Sequence, residues 1–138
     1  MRAEACRNLS DDHRGKFGQF LTPTAVADKL AGLFVASDVG EVSLIEPGAG
    51  VGSLIVAAVR RIVRIKRPTS VRMVAYEIEP AFHQYLEGIL SKLVAALDDA
   101  GITATYEVRR QDFVAAASEN VSHSLFAKEE RYTHAILN

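Results

Sequence analysis

Apolar residues recur along this chain in two rhythms, and their alternation defines the expected elements. Val26, Leu30, Leu33 and Phe34 fall at helical spacing after Thr22, a good N-cap, and Pro23, expected at the first helical position. That helix should end near Ser37. Val42 to Ile45 is a short apolar run between Gly40 and Glu46-Pro47-Gly48, the pattern of a buried strand. Leu54, Ile55, Ala58, Val59, Ile62 and Val63 then make one face of a helix that stops before Pro68. Val71 to Tyr76 is a second strand. Pro80 opens a longer helix with Phe82, Tyr85, Leu86, Ile89, Leu90, Leu93, Val94 and Leu97 on one side, ending at Gly101. Thr103 to Val108 alternates and is rich in β-branched residues, a third strand. A short helix over 113–117, a polar loop and a fourth strand starting at Ala135 to Leu137 complete the pattern. Strands alternating with helices predict an α/β fold, a parallel sheet covered on both faces.

Composition narrows this picture only slightly. A length of 138 residues is about one domain. Residues 1–17 read as a polar N-terminal segment and 18–138 as the folded unit. Hydrophobic residues at 49% with 24% charged exclude a disordered chain. The net charge of −1 gives no whole-chain case for gripping nucleic acid. The single Cys6 excludes an intrachain disulfide and a cysteine-based metal cluster, and fits a reducing compartment. No apolar run approaches the roughly 20 residues of a membrane span, and Met1 to Asp12 has no apolar signal core. The expected location is the cytoplasm.

The candidate chemistry sits at the strand ends. Glu46-Pro47-Gly48-Ala49-Gly50-Val51-Gly52 lies at a strand-to-helix switch, where Gly48, Gly50 and Gly52 let the backbone turn tightly and approach a ligand. The spacing is Gly-x-Gly-x-Gly, not the Gly-x-Gly-x-x-Gly of dinucleotide folds. An acid just before it suits a cationic ligand and would repel a pyrophosphate; a generic tight turn is the plain alternative. Glu77 ends the second strand, where a carboxylate can accept hydrogen bonds from ribose hydroxyls, and Ile78 beside it can pack on a base. Asp112 and Phe113 follow the third strand, and Asp112 equally suits an N-cap. Arg60, Arg61, Arg64, Lys66 and Arg67 read as a solvated helix end favoured by the dipole, not a phosphate patch. His13, His83, His123 and His134 share no metal-site spacing, and Glu129-Glu130-Arg131 reads as a solvated loop.

Gly18-Gln19-Phe20-Leu21-Thr22-Pro23, the acid-Pro-Gly-Ala-Gly-Val-Gly loop, Glu77, Gln111-Asp112-Phe113 and the closing Thr-His-Ala-Ile-Leu-Asn occur in an order that resembles the DNA methyltransferases acting on adenine N6, typically in restriction–modification systems. The resemblance covers roughly Lys16 to Asn138. It implies a Rossmann-like, three-layer α/β/α methyltransferase fold, incomplete at the C-terminus, and S-adenosyl-L-methionine as cofactor. In that family Thr22 would contact the cofactor's carboxylate. Glu46, Gly48, Gly50 and Gly52 would cradle the amino-acid end, Glu77 would hold the ribose, and Ile78, Asp112 and Phe113 would hold the adenine. Asn138 would be the catalytic residue, followed in the family by Pro-Pro-Tyr or Pro-Pro-Phe. The chain thus looks like the cofactor-binding front of such an enzyme, cut one residue into its catalytic loop and inactive as it stands. DNA is the implied partner, reached mostly through regions absent from this chain, with restriction–modification subunits as further partners. The same catalytic loop serves methyltransferases acting on RNA or on a protein glutamine. A non-catalytic, cofactor-binding fragment is the alternative from another class.

Overall fold

The computed structural model describes residues 21–35, 40–122 and 130–138. Helix α1 spans Thr24–Gly32, strand β1 Glu41–Pro47, helix α2 Ser53–Lys66 and strand β2 Ser70–Tyr76. Helix α3 follows over Pro80–Asp99, strand β3 over Thr103–Arg109, helix α4 over Phe113–Ser122 and strand β4 over His134–Ala135. The four strands are parallel in the order β3-β2-β1-β4. From β1 the chain moves one way to β2 and β3, then returns to the other side for β4. The boundary between β1 and β4 is therefore a topological switch point, beside which open α/β sheets bind ligands outside their carboxyl ends.

Side chains alternate across the sheet, and the two faces are covered differently. Val42, Leu44, Val71, Met73, Ala75 and Ala104 meet apolar residues of α1, α2 and α3, including Ala27, Ile55, Ile62, Leu86 and Leu90. Fully burying a side chain of the Leu or Ile class contributes about 1.5–3 kcal/mol, so this layer dominates stability. The opposite face carries Ile45, Val74 and Tyr76 against Phe113 and Ala116 of α4 and against Tyr132. Helices thus lie on both faces, giving the expected α/β/α arrangement.

Local departures from the expected pattern have physical causes. Helix α1 begins after Pro23, which is itself the N-cap at φ −58°, ψ 145°, with no side-chain cap. Its carbonyl accepts the first helical bonds, from Val26 and Ala27 N–H. Thr22 is thus not the cap, and Pro23 is not the first helical residue. The buried face of α1 is Ala27 and Ala31, with Leu30 and Phe34 packed beside them. Val26 is 39% exposed and Leu33 75%. Small alanines admit the neighbouring helix closely, whereas a search for large apolar residues passes over them. Arg61 is not a free solvated cation: its Nε and Nη2 donate to Phe34 O at 3.3 and 3.1 Å, tying α1 to α2. Helix α4 runs past residue 117 because Asp112 Oδ1 accepts from Val114 and Ala115 N–H at 2.7 and 3.1 Å, capping an alanine-rich turn.

Glu130 is an exposed loop residue, as expected, but it is also paired. With Arg72, Glu107 and Arg109 it forms an ion cluster over the part of the second face that α4 leaves open. Arg109 holds the Glu130 carboxyl down at about 2, and burial raises the Tyr132 hydroxyl to about 12. Expectations for residues 1–20, including Cys6, His13, Gly18, Gln19 and Phe20, lie outside the described residues, as do Ser37, His123 and Glu129.

Candidate functional site

The site grows from the turn after β1. Gly48 and Ala49 N–H both donate to Tyr76 O, at 2.9 and 2.8 Å, so the loop hangs from the end of β2. Gly48, Gly50 and Gly52 have φ of 81°, 55° and 80°, a region that L side chains adopt only with strain. An added Cβ at Gly48 would meet nothing within 4 Å, so open space lies above it. One at Gly52 would lie 3.0 Å from Leu86 Cδ1, so this glycine serves the close approach of loop and α3.

Glu46, only 1% exposed, lies beneath the loop. Its Oε2 accepts from Ile55 N–H at 3.0 Å, in the first turn of α2. Burial raises its carboxyl well above the ordinary range; the bond from Ile55 opposes this and the neighbouring Glu77 adds to it. Because burial disfavours its charged form, a cation placed beside Glu46 would favour the carboxylate and an anion would disfavour it further.

Glu77, 6% exposed, stands at the carboxyl end of β2. Its Oε2 accepts from Gly50 N–H at 2.6 Å and its Oε1 from Glu79 N–H at 2.7 Å. Each carboxylate oxygen keeps acceptor capacity for a further donor. Glu77 N–H donates to Arg109 O at 3.0 Å, anchoring the segment to β3. His83, without evident role in the sequence, sets its Nε2 2.9 Å from Glu77 O.

A cavity of about 240 Å³ opens at these strand ends, lined by Gly48, Tyr76, Glu77, Ile78, Asp112 and Phe113, among others. Ile78 is half exposed and available to a flat ligand. Phe113 meets Tyr76 edge to face at 5.1 Å. Arg109 braces Tyr76 in turn, donating from Nη1 to its hydroxyl at 2.6 Å. Tyr76 and Arg109 were not among the expected site residues. Period-two alternation puts Tyr76 on the face of Val74, but nothing in the sequence marks Arg109 as its partner. Asp112 spends one oxygen on its expected cap and also lines the cavity.

A smaller cavity of about 30 Å³ continues on the other side of the loop, between Glu46, Gly48, Gly50 and the segment Leu21-Thr22. Here the chain closes on itself. Asn138 Nδ2 donates to Thr22 Oγ1 at 3.1 Å, across 116 positions. Asn138 follows β4, which pairs with β1, so the contact straddles the switch point. Eight of the expected site residues therefore flank these two cavities: Thr22, Glu46, Gly48, Gly50, Glu77, Ile78, Asp112 and Phe113. Gly52 supports the loop from behind, and Asn138 touches Thr22. A further cavity of about 200 Å³ lies between α1, α2 and α3, lined by Asp28, Val56, Ala57, Arg60, Tyr85 and Ile89, and it shares Val51 and Ser53 with the smaller one. Among the described residues no cluster of His, Cys, Asp and Glu could hold a metal ion, and no helix is long and apolar enough to cross a membrane.

No protein-family model matches the chain. Over 145 aligned residues, covering all of it, the chain is 33% identical to the type II methyltransferase M.PstI of Providencia stuartii. Over 129 residues, 91% of the chain, it is 30% identical to the type II methyltransferase M.BsuBI of Bacillus subtilis. These alignments take in 26% and 25% of the two proteins, so the chain spans about a quarter of the length of these relatives. By sequence, then, it is similar to one part of two type II methyltransferases.

Proposed function

We propose that this chain is the cofactor-binding part of a DNA methyltransferase that transfers a methyl group from S-adenosyl-L-methionine to adenine N6, in a restriction–modification system. The contact between Thr22 and Asn138 carries the reading. It joins Thr22 to the candidate catalytic Asn138 at the mouth of a glycine loop, as an enzyme that brings cofactor and target together would require.

The donor set suits this cofactor. Glu46 lies where an ammonium or sulfonium would neutralise a buried acid, and the space above Gly48 admits a ligand where a side chain would obstruct it. Glu77 offers acceptors for ribose hydroxyls; Ile78 and Phe113 offer apolar faces for a purine. The bound cofactor supplies an electrophilic methyl group. The chain's own task is to prepare the nucleophile. An adenine amino group is weak because its lone pair is conjugated with the ring. The Asn138 carboxamide oxygen, as acceptor for an amino hydrogen, draws that group out of plane and frees the pair. With the methyl donor held by Glu46, Glu77, Ile78 and Phe113, the pair that Asn138 frees would be the nucleophile toward its methyl group, and the surplus N6 proton would leave to water. Positioning and electrostatics suffice, with no covalent protein adduct. The net charge of −1 assigns most of the grip on DNA to residues outside this chain.

The test is transfer of labelled methyl groups by the complete polypeptide to duplex DNA, with base analysis of the product. Label is expected on adenine N6, and Asn138→Ala should lower the rate about 100-fold or more, as loss of one oriented polar group in an active site does. Calorimetry should show Glu77→Ala binding the cofactor more weakly than the parent. Label on cytosine, on RNA or on protein would overturn the assignment, and equal binding by Glu77→Ala would remove Glu77 from the site.

A further inference from the structure

We infer that Thr22 is a positioning residue that lets the cofactor's carboxylate choose the orientation of the Asn138 side chain. The inference rests on the reading above and specifies how its two halves communicate.

Three observations carry it. Thr22 Oγ1 accepts from Asn138 Nδ2 at 3.1 Å. Thr22 lines the small cavity that also contains buried Glu46. The Asn138 side chain is exposed, and its oxygen has no partner among the described residues. Since Thr22 and Glu46 line one cavity, a cofactor whose ammonium met Glu46 would have its adjoining carboxylate within reach of the Thr22 hydroxyl.

The hydrogen-bond arithmetic then leaves one arrangement. A hydroxyl has one proton to donate, and a carboxylate can only accept. With the carboxylate present, the Thr22 proton is committed to it. Thr22 Oγ1 can then only accept, so the carboxamide must turn its NH2 group toward Thr22. Its oxygen consequently faces away, free for the amino hydrogens of the target. Without the carboxylate, Thr22 can donate or accept and both flips of the carboxamide are allowed. In one flip the NH2 group would confront the target's own NH2, donor against donor. Cofactor occupancy therefore sets the acceptor that catalysis needs, through two hydrogen bonds in series.

The experiment uses the complete polypeptide, Thr22→Val, Thr22→Ser, and decarboxylated S-adenosylmethionine as probe. In single-turnover methylation with both ligands saturating, Thr22→Val should be slower by about 10- to 100-fold, the range of a charge-assisted hydrogen bond. Thr22→Ser, which keeps the hydroxyl, should stay within about threefold of the parent. The decarboxylated cofactor should slow the parent by a similar factor and slow Thr22→Val no further. A readout independent of turnover is the side-chain amide of Asn138 in asparagine-labelled protein, assigned by its loss in Asn138→Ala. S-adenosylhomocysteine should collapse it to one protected signal in the parent, and its decarboxylated form should not.

A parent that methylates adenine while Thr22→Val loses only cofactor affinity, at an unchanged saturated rate, would overturn this inference alone. So would an Asn138 amide that responds alike to the two forms of the probe. A parent that binds no cofactor or methylates no adenine overturns the reading beneath it as well.

Discussion

Substituting alanine at Gly52 and at Gly48 separates two roles that the glycine loop combines. Both residues have φ near +80°, so either alanine would incur the strain of a left-handed L residue, about 1–2 kcal/mol. Both would also restrict the unfolded chain, a gain of about 0.4–1 kcal/mol that cancels in the comparison. The difference lies in the surroundings. At Gly52 the new methyl would stand 3.0 Å from Leu86 Cδ1 and 3.6 Å from Ile55 Cγ2, both on fully buried side chains. Overpacking of that kind costs about 1–3 kcal/mol. At Gly48 it would meet nothing within 4 Å. Gly52→Ala should therefore be less stable than Gly48→Ala by about 1–3 kcal/mol. With a urea slope of about 1–3 kcal/mol per molar, the two midpoints should differ by about 1 M. Ligand affinity should rank the other way relative to stability, because the Gly48 methyl enters the space both cavities share. The assay is urea unfolding followed by circular dichroism, with cofactor calorimetry on each variant. Equal midpoints at unchanged slope would mean that Leu86 yields freely, and the packing argument for Gly52 would fail.

Glu46→Gln should remove a pH dependence of the ligand-free protein. A folded carboxyl raised above its unfolded value of about 4.3 contributes stability that is full below that value and declines as pH rises from there toward the folded value. At pH 7 the variant should thus be at least as stable as the parent in thermal unfolding yet bind the cationic cofactor more weakly; lower stability at pH 7 would refute the raised carboxyl. Arg109→Met should act in the opposite pH range. Glu130, held down at about 2, contributes stability that is present above the unfolded value and lost as pH falls toward 2. Melting curves between pH 5 and about 2 should be flatter in the variant than in the parent, and its cofactor affinity should drop as Tyr76 and Phe113 lose their brace. Parallel melting curves would show that the cluster contributes nothing.

The elements were legible because their causes are local. Period-two and helical spacing mark a buried face wherever the residues are large, as in Val71 to Tyr76 and along α3, and the structure follows both closely. Asp112 as a cap and the glycine loop as a tight turn also follow from steric and hydrogen-bonding rules that span a few residues. The same locality misled at α1, where Ala27 and Ala31 rather than Val26 and Leu33 face the core, because depth depends on how near the neighbouring helix lies. Strand order, by contrast, has no local signature. Only the packed sheet put β4 beside β1, and with it Asn138 against Thr22. Only register set Arg109 under Tyr76 and within reach of Glu130. The upward shift of the Glu46 carboxyl likewise arises only in three dimensions, since an acid beside a glycine loop is ordinary until the fold removes it from water.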